Sequence, residues 1–152
     1  MKITVRTTEK ADAPAIYNLV KQLAVFEKEP DAVINTVDAM IKDGFGPNKI
    51  FDSFVAETEG KIIGMAVFYW SYSTWKGRYI YLDDLIVDES YRRSGAGKLL
   101  FDAVHQFAKD HNANQFRWHV LDWNAPAISF YKKYPTTFDP SWITCKIEKE
   151  NL

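Results

Sequence analysis

The stretch that most constrains the fold is Tyr79 to Leu100, YIYLDDLIVDESYRRSGAGKLL. Its first half, Tyr79 to Leu82 and then Leu85 to Val87, is an apolar run that reads as a buried strand, yet it is interrupted by adjacent carboxylates, Asp83 and Asp84. Carboxylates are seldom buried without partners, so the strand either reaches a polar cleft here or opens at a bulge. A polar turn from Asp88 to Ser94 follows, then Gly95-Ala96-Gly97, then apolar residues at 100, 103, 104, 107 and 108, which is the spacing of one helix face.

The unit is therefore strand, glycine-rich turn and helix N-terminus, with Arg92 and Arg93 just ahead of the glycines. Free backbone N–H groups and the positive end of the helix dipole make such a turn an anion site, and glycine lets a phosphate come close to the backbone. A Walker A loop is excluded, because Arg92 stands at its first glycine and Leu99 follows Lys98 where Ser or Thr is required. The dinucleotide fingerprint fails at Leu100, where its third glycine belongs. What remains is Arg-x-x-Gly-x-Gly at Arg92, Gly95 and Gly97. The alternative is a helix start whose glycines serve tight strand-to-helix packing, and the turn alone leaves both open.

Around this unit the chain reads in order. Lys2 to Arg6 alternates as a first strand; Asp12 caps a helix with Pro14 in its first turn and a stripe through Ile16, Leu19, Val20, Leu23 and Ala24, stopping before Pro30. Glu27, in Phe26-Glu27-Lys28-Glu29, is either part of a solvated helix end or faces a cationic substrate. Asn35 or Thr36 caps a second helix that ends at Asp43-Gly44-Phe45-Gly46-Pro47. Ile50 to Glu57 and Lys61 to Tyr72 form a hairpin about Glu59-Gly60. The aromatics of the second strand read as core or dimer surface, with Trp75 the one placed to line a ligand cleft. After the central unit come a strand at Gln115 to Leu121, a short helix from Pro126, and a last strand at residues 141–148. That order implies an α/β fold with a mixed sheet and helices on both faces.

A length of 152 residues suits a single domain, 1–152. A net charge of −1 carries no excess of positive charge, so nucleic acid is not an expected partner. The longest apolar run, Ile62 to Trp70, is broken by Gly64 and falls far short of the roughly 20 residues that cross a bilayer. The N-terminus lacks the apolar core of a signal peptide, so a cytoplasmic protein with no membrane partner is expected. Cys145 is the lone cysteine, which excludes an intrachain disulfide and suggests a buried structural thiol. His105, His111 and His119 share no helical face, and no metal site is expected.

The stretch Leu121 to Lys132, LDWNAPAISFYK, resembles the second motif of the GNAT superfamily of acetyl-CoA-dependent N-acetyltransferases. Its form is that of the spermidine/spermine N-acetyltransferases and their thialysine-acetylating relatives. Arg92, Gly95 and Gly97 are similar to the pyrophosphate signature of the same superfamily. Leu23 to Lys28, Asp43 to Gly46, Tyr72 to Arg78 and Tyr81 to Asp84 extend the likeness along most of the chain. The resemblance implies acetyl-CoA as donor, no metal, a small-molecule amine as acceptor (a diamine, polyamine or lysine-like thialysine), and a homodimer. It implies that Leu85, Ile86 and Val87 follow the acetyl-pantetheine arm and that Arg92, Arg93, Ser94, Gly95, Ala96, Gly97 and Lys98 hold the pyrophosphate. Asn124 would contact the arm, and Tyr131, also at the cofactor, would be the general acid. Asp83 stands where the family usually has Glu, and Glu27, Trp75, Asp83, Asp84 and Trp142 fall at the amine cleft. Ser73 replaces an Asp of the polyamine-specific members, which weakens selection for a multiply charged amine. Pro135 replaces a usual glycine, and the stretch to Trp142 is shorter than in the relatives. Acetylation of a protein amine, or non-catalytic binding of an acyl-CoA by a dimeric protein, are the competing functions.

Acetyl transfer to an amine needs a neutral nucleophile, support for a developing oxyanion and a proton for the leaving thiolate. An alkylamine of pKa about 10.4 is roughly 4.6 kcal/mol from neutral at pH 7, and transfer to a carboxylate of ordinary pKa, about 3.9, is uphill by roughly 9 kcal/mol. Asp83 is thus better suited to order the ammonium or a water relay. A tyrosine near 10 and a thiolate near 8.5 differ by only about 1.5 units, which suits Tyr131 to the acid role.

Overall fold

Three long strands and two short ones build one mixed sheet. The computed structural model describes residues 1–152, and the chain divides into two units, 1–119 and 120–152. In the first unit β1 (Thr4–Thr7), β2 (Asp52–Thr58), β3 (Lys61–Ser73), β4 (Gly77–Val87) and β5 (Phe116–Trp118) lie in that order across the sheet. The first four pair antiparallel, and β5 lies parallel to β4. Glu59 and Gly60, at φ 50° and 77°, turn the β2–β3 hairpin with both central residues left-handed, a twist that matches the strands it joins.

Three helices, α1 (Ala13–Phe26), α2 (Val37–Phe45) and α3 (Ala96–Asp110), complete this unit. The period of two sends one set of strand residues to each side of the sheet. Val55, Met65 and Ile86 join Ala13, Ile16 and Leu19 of α1 and Met40 of α2 in one buried cluster. On the other side Phe54 and Phe68 meet Phe107 of α3, with ring centroids 6.4 and 5.0 Å from it. A Cβ on Gly64 would lie 2.9 Å from the Ile86 carbonyl and 3.1 Å from Leu100 Cδ1, so here a glycine does allow α3 to close onto the sheet. Helices therefore cover both faces, as the element order implies. Thr36 caps α2 by accepting from Ala39 N–H at 3.1 Å. Asp12 occupies the residue before α1 but makes no cap bond to that helix; its carboxylate accepts from Arg6 at 2.8 Å and from Glu9 N–H at 2.7 Å.

The second unit contains α4 (Ala125–Tyr131), capped by Asn124, whose side chain accepts from Ala127 N–H at 3.4 Å. Thr136 Oγ1 donates to the Tyr131 carbonyl at 2.8 Å and so closes the end of the helix. The last strand expected at 141–148 does not form: these residues carry no regular structure, and Trp142, Ile143 and Ile147 are exposed. Alternation marks two faces, but a strand exists only with a hydrogen-bonded neighbour, and this unit contains no second strand to supply one. Cys145 falls in the same segment and is exposed, not the buried thiol expected from its apolar neighbours.

Candidate active site

The two carboxylates of β4 sit at a β-bulge. Phe68 pairs with Leu82 and Val67 with Asp84, leaving Asp83 as the extra residue. In a regular strand the pleat would send one of two consecutive carboxylates to each face, and one of them into the apolar layer beneath α3. With the bulge both line one cavity of about 560 Å³, together with Tyr69 and Val67 of β3. The remaining wall comes from α1 (Tyr17, Val20), residues 32–35, Met40 of α2, and Ile50 and Phe51.

Burial pushes the Asp84 carboxyl up to about 7, and the negative charges of Asp83 and then Glu27 add to the rise. Asp83 opens to the cavity, yet enough protein surrounds it that burial raises its carboxyl too, against a hydrogen bond from Tyr69 that pulls the other way. The Tyr69 hydroxyl is pushed up to about 12, by burial first and then by the charge of Asp83. Glu27, the residue that closes α1, is raised by burial. The floor of the cavity is thus acidic and crowded with like charges, an environment that favours an incoming cation.

The bulge is also where β4 leaves β5, since their pairing stops at Leu82 opposite Trp118. Ile80 N–H donates to the Gln115 carbonyl at 3.0 Å on the β5 side, whereas Asp88 N–H donates to Ile63 on the β3 side at 2.8 Å. Ladder alternation between these points turns the N–H groups of Leu85 and Val87 toward the side vacated by β5. Tyr81, just before the splay, is hydrogen-bonded to His119, and its ring lies 5.5 Å from that of Tyr69.

Beyond β4 the chain turns through Arg93 at φ 64° and Gly95 at φ 93° into α3. Gly95 makes no side-chain cap, and of the first-turn amides that of Ala96 is taken by Ser94 Oγ at 3.3 Å. A Cβ on Gly95 would meet nothing within 4 Å and one on Gly97 only Val87 Cγ2 at 3.6 Å, so neither glycine is there for close packing on the sheet. Gly95 supplies a left-handed residue, and both leave the amide face of the turn open, a cradle that suits a pyrophosphate. The Arg92 guanidinium stacks over Phe26 at 4.9 Å, and Lys98 pairs with Asp102 at 2.5 Å along the helix. Lys98 therefore offers the turn its amide more than its ammonium.

The structure brings Glu27, Asp83 and Asp84 together electrostatically and sets Leu85 to Lys98 along one continuous path. Trp75 is at the β3–β4 hairpin tip, 89% exposed and outside the cavity lining, where Ser73 Oγ accepts from its N–H at 3.2 Å. In the second unit Tyr131 is buried with its ring 5.4 Å from Phe130, Asn124 caps α4, and Trp142 donates to Asp139 at 2.7 Å. Tyr69 escaped the sequence reading, although the hairpin register that sets it opposite Tyr81 places it on the same face as the acids.

These features form a sheet splayed beside an acidic cavity and followed by a turn whose open amides suit a phosphate-bearing ligand. The model of the Acetyltransferase (GNAT) family matches residues 14–134. A thialysine N-epsilon-acetyltransferase of Sus scrofa is 37% identical over 138 residues, covering 86% of this chain and 81% of that protein. The mouse protein of that name, from Mus musculus, is 34% identical over 159 residues, 97% of this chain and 94% of that one. The human spermidine/spermine N(1)-acetyltransferase-like protein 1 is 33% identical over 158 residues, 97% of this chain but 23% of its own length. In fold, the chain is similar to an aminoglycoside acetyltransferase from a soil metagenome, solved with sisomicin, at a TM-score of 0.78 and 20% identity over 96% of this chain and 95% of that one. The chain belongs to the GNAT family of acetyltransferases, enzymes whose donor is acetyl-CoA. No helix is long and apolar enough to cross a membrane.

Proposed function

We propose that this chain transfers the acetyl group of acetyl-CoA to the primary amine of a small molecule by direct attack in a ternary complex. The observation that carries this reading is the bulge at Asp83, which floors a cavity with two carboxylates at the point where β4 parts from β5. The relatives' names support an amine acceptor of the thialysine, lysine-like, diamine or polyamine kind. A homodimer in the cytoplasm belongs to the same proposal.

Acetyl-CoA supplies the activated carbonyl and the thiolate leaving group. Arg92 to Lys98 hold its pyrophosphate through turn amides and guanidinium charge, and Leu85 to Val87 and Asn124 follow its arm. The outward N–H of Leu85 or Val87 supports the carbonyl oxygen as it gains charge. Glu27, Asp83 and Asp84 attract the ammonium. With Asp84 near 7, removal of a proton from an alkylammonium is uphill by roughly 4.6 kcal/mol, about half the figure for an ordinary aspartate. Asp83, hydrogen-bonded to Tyr69, orients the amine or a water between them. Tyr131 protonates the departing thiolate.

Replacing Tyr131 by Phe tests the assignment. Acetyl-CoA affinity measured by calorimetry is expected to stay nearly unchanged, while turnover falls by about 10²-fold or more. An unchanged rate removes Tyr131 from the mechanism, and absence of acetyl-CoA binding by the unaltered protein removes the whole reading.

A further inference from the structure

The cavity has a polar end and an apolar end. Its acids are confined to the bulge, and the only other polar side chains facing it are Tyr17, Tyr69 and Asn35. The Tyr17 hydroxyl is already committed, donating to the Asn35 carbonyl at 3.0 Å. Away from the bulge the wall is Val20, Val33, Ile34, Met40, Ile50 and Phe51, and no lysine or arginine lines any part of it. Ile34 and Ile50 are 79% and 68% exposed, so the apolar surface continues to the rim.

An acceptor whose amine reaches the acids must lay its body along this wall. A second ammonium would face Met40, Ile50 and Phe51, a part of the wall to which no acidic side chain contributes, and an amino-acid carboxylate would meet no basic side chain in the lining; the nearby Lys49 and Asp52 are paired with each other at 2.7 Å. Either charge would be buried unpaired or would hold the molecule out in water. Methylenes or a ring would instead be removed from water. Resting on the amine-acetyltransferase reading above, we infer that the preferred acceptor is a monoamine with an apolar body, alkyl or arylalkyl, over the polyamines and amino-acid amines that the relatives' names suggest. Ile34, Ile50 and Phe51 are the residues that set this specificity.

The test is a panel assayed by release of free CoA thiol: n-alkylamines from ethyl to octyl, phenethylamine, thialysine, ornithine, putrescine and spermidine. The kcat/KM is expected to rise by about fourfold per methylene until the cavity is filled, the factor that corresponds to burying one CH₂. Phenethylamine is expected to exceed thialysine and spermidine by about tenfold or more. A flat alkyl series, or thialysine or spermidine at the head of the panel, overturns the inference while leaving amine acetylation intact. Should no amine turn over, the catalytic reading falls, and binding of the same panel followed by calorimetry still decides the inference by the same order. Ile50→Asn, at an exposed position that spares the core, is expected to lower the octylamine-to-ethylamine ratio about tenfold; an unchanged ratio counts against the wall.

Discussion

Asp84 carries its proton to a pH well above the ordinary aspartate value. Its folded value near 7 lies above the ordinary 3.8, so between those values the folded protein binds a proton that the unfolded chain has released. Stability from this group therefore falls as pH rises from about 4 to about 7, by roughly 2–4 kcal/mol. Asp84→Asn has no charge to bury, so its melting temperature should gain on that of the parent across this window; parallel melting curves from pH 4 to 8 would contradict the assignment. The same proton affects the substrate. The KM for an amine that is an ammonium throughout this range should fall as pH rises through about 7, and Asp84→Asn should flatten that dependence. The paired acids were legible from their place in an apolar run. That Asp84 is the more perturbed of the two was not, because the shift depends on walls that α1 and residues 32–35 bring from elsewhere in the chain.

At the scale of elements, Gly44 links α2 to the cavity. A Cβ there would lie 2.3 to 2.9 Å from the ring of Phe51, so the ring rests directly on the helix backbone. Gly44→Ala is expected to displace Phe51 from its place in the wall, raising the KM for the amine severalfold while the KM for acetyl-CoA holds; equal changes in both would point to general damage. The Asp43 to Pro47 stop signal and the Glu59-Gly60 turn could be read directly, because glycine and turn chemistry act over a few residues. The alternation at 141–148 was equally clear and misled, since a strand needs a neighbour that no local pattern names. Trp75 shows a further limit. An aromatic in a loop has no periodicity to say which way it points, and here it lies exposed at the tip of the β3–β4 hairpin.

Across the molecule's sheet-containing unit, Arg6 joins three segments. From β1 it donates to Asp12 ahead of α1 at 2.8 and 3.1 Å and to Glu57 of β2 at 3.2 Å. Its bond holds the Asp12 carboxyl below the usual range, so the stabilisation is full above the unfolded value of 3.8 and is lost as pH falls through the folded one. Asp12→Asn should cost about 1 kcal/mol at pH 7 by urea denaturation, a difference that vanishes at low pH; a difference independent of pH would place its origin elsewhere. The order of elements made the mixed sheet legible, whereas the one-residue offset in β4 was foreseen only as one of two possibilities. That offset separates architecture from activity. Because Val67 already pairs with Asp84 and Phe68 with Leu82, a chain lacking the single codon for Asp83 could zip β3 to β4 without interruption. It is expected to melt no lower than its parent and to acetylate nothing, a folded blank made by subtraction.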